Sequence, residues 1–435
     1  MHDAALIRHI ACRHGGLRCD GIPGKSDEER RMARLTARLG LVTCVLVAAT
    51  AGAGTPASAD TSATVFDSGG TYNFEDAEGV HDLRLTVSSS GSTIVFDADS
   101  TIVPGHGCRR PDVADPTVAH CLHDIGSGSL ALFVSADGGD DHVELNLGFP
   151  GPVSHSTLLG GDGDDVLIGG DGSDTMFGGS GADEMFGRGG DDNFAYSLGP
   201  DLMAGGPGVD LVDYAVSSLT DGVRASADGI VGDDGPLGEG DTIGGDVENL
   251  RGTPYGDVLV GNSLPNRIQG CQGADRLFGG SGNDTFLAAE PGSCSTLGTR
   301  SADHIDGGAG LDTVDYFGHG ARVWADLDDV VGDDGASGEG DSIVGAENLV
   351  GTEFNDVLIG NATSNVISGG RGDDLIIGNN GVNTLNGNEG DDVLHGGADS
   401  DVLNGGNGAD DLFGGAGFDW CDLGFDGRVK YHCEL

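Results

Sequence analysis

An aspartate returns every nine residues through most of this chain, each time in a glycine-rich setting. From Gly160 the sequence reads GGDGDDVLI, GGDGSDTMF, GGSGADEMF and GRGGDDNFA, and the register continues through YSLGPDLMA to GGPGVDLVD at 205–213. Residues 252–287 hold four more units, 298–315 two and 351–422 eight, which makes twenty nonamers over 180 residues. The sixth position is occupied by Asp165, Asp174, Asp183, Asp192, Asp201, Asp210, Asp257, Asp275, Asp284, Asp303, Asp312, Asp356, Asp374, Asp392, Asp401, Asp410 and Asp419. Asn266, Asn365 and Asn383 take the other three places. A carboxylate is a hard oxygen ligand of the kind Ca²⁺ prefers. The surrounding glycines permit the positive φ of a tight turn and leave backbone carbonyls free to face a cation. A turn that needed only a polar cap would be served by Asn or Ser. Carboxylates stacked about 5 Å apart repel strongly unless a cation lies between them. The chemistry expected is therefore cation binding, with all seventeen aspartates as candidate ligands.

The elements that would position these groups are short. Six residues make the turn, and the last three of each unit make a strand whose middle residue points inward. That middle column runs from Leu167, Met176, Met185 and Phe194 to Leu403, Leu412 and Cys421, and every member is apolar. It predicts a thin core stacked coil on coil.

The unit G-G-x-G-x-D-x-U-x, with U apolar, resembles the RTX (repeats-in-toxin) calcium-binding nonapeptide repeat over the whole span 160–422. The resemblance implies an all-β fold, a parallel β-roll or β-helix solenoid in which two nonamers make one coil. Equivalent turns are then two units apart, an ion bridges each stacked pair, and about a dozen Ca²⁺ would bind. Units starting at 196, 261, 298, 360 and 378 lack several glycines or the aspartate, and the unit at 396 carries Asp399 in place of a glycine. Those turns are expected to bind weakly or not at all.

Composition agrees. The chain has 82 Gly, 71 acidic and only 21 basic residues, with a net charge of −50 and aromatics at 5%. Like charge excludes nucleic acid and anionic membrane surfaces as partners. The basic residues concentrate at the start. Residues 1–59 carry eight Lys or Arg, then an apolar run Leu39–Ala49 and the small-residue stretch ending Ala57-Ser58-Ala59. This reads as an upstream extension plus a secretory signal peptide, with Met32 as the start and cleavage after Ala59. The product is expected to be secreted or extracellular, in part associated with a cell surface. Six cysteines follow the cleavage point, in three local couples: Cys108 with Cys121, Cys271 with Cys294, and Cys421 with Cys433. An oxidising compartment favours disulfides for all three over the metal site that His106, His120 and His123 would otherwise suggest at the first couple.

Further divisions follow. Residues 60–150 form an N-terminal β module, with strands expected near 64–66, 72–74, 83–87, 93–96 and 130–134 and a first imperfect turn at 136–144. Residues 151–213 are repeat block 1, 252–315 block 2, and 351–435 block 3, whose end a Cys421–Cys433 bridge would cap. Two spacers, 214–251 and 316–350, are copies of each other: Val231–Gly235 recurs as Val331–Gly335, Gly238–Asp241 as Gly338–Asp341, and Glu248-Asn249-Leu250 as Glu347-Asn348-Leu349. Their GDDG and GEGD turns are further candidates for ions.

No HExxH, GxSxG or P-loop pattern occurs. The expected function is a calcium-binding repeat protein that folds on Ca²⁺ and plays a structural, adhesive or surface-interaction role without catalysis. A cell surface, a glycan or a matrix is the expected partner. The alternative is a β-helix polysaccharide lyase or epimerase, or a glycan-binding module, that carries such repeats. Arg371-Gly372-Asp373 resembles an adhesion tripeptide, but the repeat generates it whenever position three is Arg.

Overall fold

The computed structural model describes residues 62–67, 71–75, 84–90, 93–98, 101–104, 108–109, 118–122, 130–146, 153–215, 219–288, 301–424, 429–431 and 433. The segment 1–59, Cys294, His106 and His123 lie outside them. Every described element is a strand. No helix among the described residues is long and apolar enough to cross a membrane.

The strands stack as a parallel two-faced solenoid. Strands that pair are 18 residues apart wherever the repeat is unbroken, as in Val166–Ile168 against Glu184–Phe186, so one coil is two nonamers. The first face is a single run of parallel pairs. It begins with Leu130–Gly138 and Val153–Asp162 and continues unbroken to Val402–Asn407 and Trp420–Asp422. The second face is divided into three sheets, and the divisions fall at the spacers.

The reason lies in how each spacer threads. Val223–Ser226 comes early in the first spacer yet pairs forward with Val258–Val260. Thr242–Ile243 comes later and pairs backward with Leu202–Ala204. The second spacer repeats this with Val323–Asp326 and Ser342–Val344. Where the ladder breaks, a carboxylate replaces it. Asp234 accepts the amide of Ser226 on Oδ1 at 2.6 Å and that of Ile243 on Oδ2 at 3.0 Å. Asp334 does the same for Asp326 and Ile343, at 2.7 and 3.2 Å.

The core is the inward column. All twenty middle residues, from Leu167 to Cys421, are buried. The pattern of alternating burial is that of a strand with one face in, and it holds even in three-residue strands such as Val357–Ile359. Fully buried Tyr214 and Tyr316 widen the core beneath the spacers. At the first end, Leu130–Gly138 and His142–Asn146 form the opening coil and pair with Thr71–Glu75 and Arg84–Ser90 of the N-terminal segment. At the other end a disulfide joins Cys421, in the inward slot of the last nonamer, to Cys433. Cys271 is also disulfide-bonded. Cys108 stands opposite Cys121 in an antiparallel pair.

Candidate metal centres

Each sixth-position aspartate follows directly from its turn and precedes its strand, so stacking the coils stacks the carboxylates. Of the seventeen, sixteen are buried and Asp303 is half-buried. They are tied into ladders by one repeated bond, in which Oδ1 accepts the backbone amide of the equivalent residue one coil earlier. Asp183 Oδ1 accepts Asp165 N at 2.9 Å, Asp192 Oδ1 accepts Asp174 N at 2.7 Å, and Asp410 Oδ1 accepts Asp392 N at 3.0 Å.

One oxygen per aspartate is thus used, and the other separates the turns into two kinds. In the open kind, Oδ2 is buried and accepts no hydrogen bond; this holds for Asp165, Asp183, Asp192, Asp210, Asp275, Asp284, Asp312, Asp374, Asp392, Asp401 and Asp410. Such an atom costs about 1–3 kcal/mol, and more when charged, unless something fills its lone pairs. The glycines let other oxygens draw close to it. A methyl group placed on Gly160 would lie 2.2 Å from Asp165 Oδ2 and 2.5 Å from the Gly178 carbonyl oxygen of the next coil, and Gly187 and Gly387 repeat the geometry. Carboxylate and carbonyl oxygens converge there on space that only a glycine leaves. That is the donor set of a hard divalent cation.

In the closed kind the protein satisfies its own oxygen. Asp174 Oδ2 accepts Gly170 N, Asp201 Oδ2 accepts Ser197 Oγ, and Asp257 and Asp356 accept Thr253 N and Thr352 N, all at 2.6–2.7 Å. The asparagines close their turns with an amide: Asn266 and Asn365 donate Nδ2 to the carbonyls of Glu248 and Glu347, each at 2.8 Å. The sequence separated weak turns from strong ones by missing glycines. The structure separates them by who occupies Oδ2, and so adds Asp174, Asp257 and Asp356 to the self-satisfied group.

Electrostatics follows from this burial. Removal from water pushes Asp165 and Asp183 up from the ordinary 3.8 to about 7, with neighbouring carboxylates adding to it. Asp192 and Asp374 rise to about 8 for the same reasons, and Asp275, buried beside Asp303, to about 9. Buried stacked carboxylates resist ionisation, and a cation at the ladder would supply the compensating charge.

In the second spacer, Asp333 of the GDDG turn lies with Asp326 and Asp328 in a group of three carboxylates whose oxygens fall within 4.8 Å of one another, close enough to hold a metal ion. The inner carboxylates of the spacer turns are taken by the protein itself: Asp234 and Asp334 bridge the sheet breaks, Asp241 Oδ1 accepts Asp201 N at 3.1 Å, and Asp241 Oδ2 accepts the Tyr214 hydroxyl at 2.9 Å. Asp341 does the same with Asp303 N and Tyr316, at 3.0 and 3.2 Å. Asp241 and Asp341 are the last rungs of interrupted ladders, a role the local pattern D-x-U in GDTI and GDSI could have signalled. Fifth-position acids were also missed. Asp164, Asp191, Asp373 and Asp391 accept amides of the following coil at 2.8–3.0 Å, so the two adjacent acids of a GxDD turn brace it in opposite directions. The Arg371-Gly372-Asp373 tripeptide is absorbed by the same scaffold: Arg371 pairs with Glu353 and Glu389, and Asp373 holds the Asp391 amide.

Comparison with known proteins agrees with this geometry. The family model of the RTX calcium-binding nonapeptide repeat matches residues 159–194, 251–286, 297–316, 350–385 and 386–421. No curated protein matches the chain. Five matched segments, each falling on coils whose aspartates stack in register, lead to one conclusion: the chain carries RTX calcium-binding nonapeptide repeats through its solenoid.

Proposed function

We propose that this is a secreted protein whose solenoid folds on calcium and serves a structural, adhesive or surface-interaction role without catalysis. The observation that carries the calcium part is the column of buried Oδ2 atoms with no hydrogen-bond partner, Asp165 to Asp410, several of which converge with a backbone carbonyl at a glycine turn. Without a cation the ladders place like charges in a desolvated column. With one, those charges become ligands, and the binding free energy becomes folding free energy. The ions would be held by the open-turn aspartates and the carbonyls that converge on them, and they would supply charge neutralisation and cross-coil linkage rather than reactivity.

The non-catalytic part rests on what the polar groups already do. Arg188 is paired with Glu144, Arg251 with Asp213, and Arg371 with two glutamates, so these cations serve to pin neighbouring coils. A disulfide in the last coil suits an oxidising compartment. The test is a calcium titration from chelator followed by far-UV circular dichroism. A cooperative gain of β-signal in the micromolar-to-millimolar range supports the reading. A chain already fully folded in chelator at pH 8 defeats it.

A further inference from the structure

On the sequence, each spacer interrupts the nonamer array. On the first face the array is not interrupted. Asn249–Arg251 pairs in register with Leu211–Asp213 on one side and Arg267–Gln269 on the other. Asn348–Val350 pairs likewise with Thr313–Asp315 and Val366–Arg371. The residue just before each of these strands stands where a nonamer puts its aspartate, and in both it is a glutamate. Glu248 Oε2 accepts Asp210 N at 2.9 Å, and Glu347 Oε2 accepts Asp312 N at 2.9 Å. The ordinary rungs directly before them measure 2.9 Å for Asp192 N to Asp210 and 2.8 Å for Asp284 N to Asp312.

Asp210 and Asp312 are each 0% exposed, and the Oδ2 of each is buried without a hydrogen-bond partner. In the second copy the spacer also brings a second oxygen to the same point. A methyl group on Gly307 would lie 2.5 Å from the Gly345 carbonyl oxygen and 2.8 Å from Asp312 Oδ2. That is the convergence seen at Gly160, with a spacer glycine in the place of the next coil's first glycine. Beyond the glutamate the following step is closed, because Asn266 and Asn365 cap it with their amides. Both copies therefore have the same order, an open Asp, a Glu and a closing Asn.

We propose that Asp210 with Glu248, and Asp312 with Glu347, form two further calcium sites, the second joined by the spacer carbonyl of Gly345. The longer glutamate reaches the rung from a chain segment that arrives by a different path from a nonamer turn. These sites carry the first-face ladder through both spacers. The second face has no such continuation, since its ladders end at Asp241 and Asp341, whose outer oxygens the tyrosines occupy.

This inference rests on the reading that the nonamer turns bind calcium, and the test keeps the two apart. Native mass spectrometry of the full chain in saturating CaCl₂ counts bound ions in the wild type, Glu248→Gln, Glu347→Gln and the double variant. Glutamine keeps an acceptor for the Asp210 or Asp312 amide and removes the charge. The expected result is one ion fewer in each single variant and two fewer in the double. A full complement in the double variant overturns the spacer sites and leaves the nonamer reading standing. A wild type that binds no calcium overturns both. If a glutamine variant loses its β-signal in calcium, Glu248→Asp and Glu347→Asp replace it. They are expected to leave one ion titrating at higher calcium than the rest, and an unchanged isotherm overturns the proposal.

Discussion

Replacing one open-turn aspartate with asparagine should stabilise the calcium-free chain and weaken the calcium-loaded one. Asp183 is the choice, because it is 1% exposed, its Oδ1 accepts Asp165 N at 2.9 Å and its Oδ2 has no hydrogen-bond partner. Asparagine keeps the Oδ1 acceptor and puts a donor where the bare oxygen was, as Asn266 and Asn365 already do at their turns. The Asp183 carboxyl rises from 3.8 to about 7, chiefly by burial. Its sign follows from linkage. Below about pH 4 it is protonated in both folded and unfolded chains and costs nothing. As pH climbs through 4 to 7 the unfolded chain ionises first, so stability is lost progressively, and above pH 7 the loss is complete. At about 1.4 kcal/mol per pH unit the full loss is about 4 kcal/mol. Asp183→Asn should therefore gain about 4 kcal/mol in chelator at pH 8 and nothing near pH 3.5. In millimolar calcium the sign reverses, because a charged ligand has been removed. In chelator at pH 8, where the wild type is expected to be unfolded, the gain is read as β-signal recovered by circular dichroism; urea unfolding measures stability in calcium. A variant with no more β-signal than wild type in chelator and wild-type stability in calcium would show that Asp183 is only a structural acceptor, and the argument from the bare oxygen would fail.

Four other outcomes are expected. Gly178→Ala puts a methyl 2.1 Å from Asp183 Oδ2 and should raise the calcium midpoint at an unchanged net charge, at a stability cost of about 1–3 kcal/mol; isothermal titration would detect it. Asp234→Ala strands the Ser226 and Ile243 amides at the first sheet break, which at about 1–3 kcal/mol each should open the spacer first, seen as early hydrogen exchange near 223–243. Leu385→Ala, at a fully buried core rung, should cost about 2–5 kcal/mol in calcium by thermal or urea unfolding. Replacing both Cys421 and Cys433 with serine opens a loop of sequence separation 12 and should cost about 3 kcal/mol and increase aggregation; equal melting and scattering for the two proteins would count against the cap.

The period of nine carried most of the fold. One apolar residue and one aspartate at fixed places in each unit dictate an inward column and a stacked carboxylate, and both columns lie where the repeat put them, from Leu167 to Cys421 and from Asp165 to Asp419. This much is local: a short turn and a three-residue strand decide which side chain points in, whatever lies above or below. What lies above and below decided the rest. Whether an aspartate's second oxygen is open depends on a neighbour the repeat does not constrain, such as Ser197 beside Asp201 or Thr253 beside Asp257. The spacers were legible as a duplication but not as a path. Val223–Ser226 pairs forward and Thr242–Ile243 pairs backward, an inversion no periodicity encodes. Only that threading reveals Asp234 as the clasp between two sheets, Asp241 as the end of one ladder, and Glu248 as a rung of the other. A repeat specifies its own unit by spacing along the chain; the partners at its breaks are chosen across the coil stack, where sequence distance no longer measures proximity.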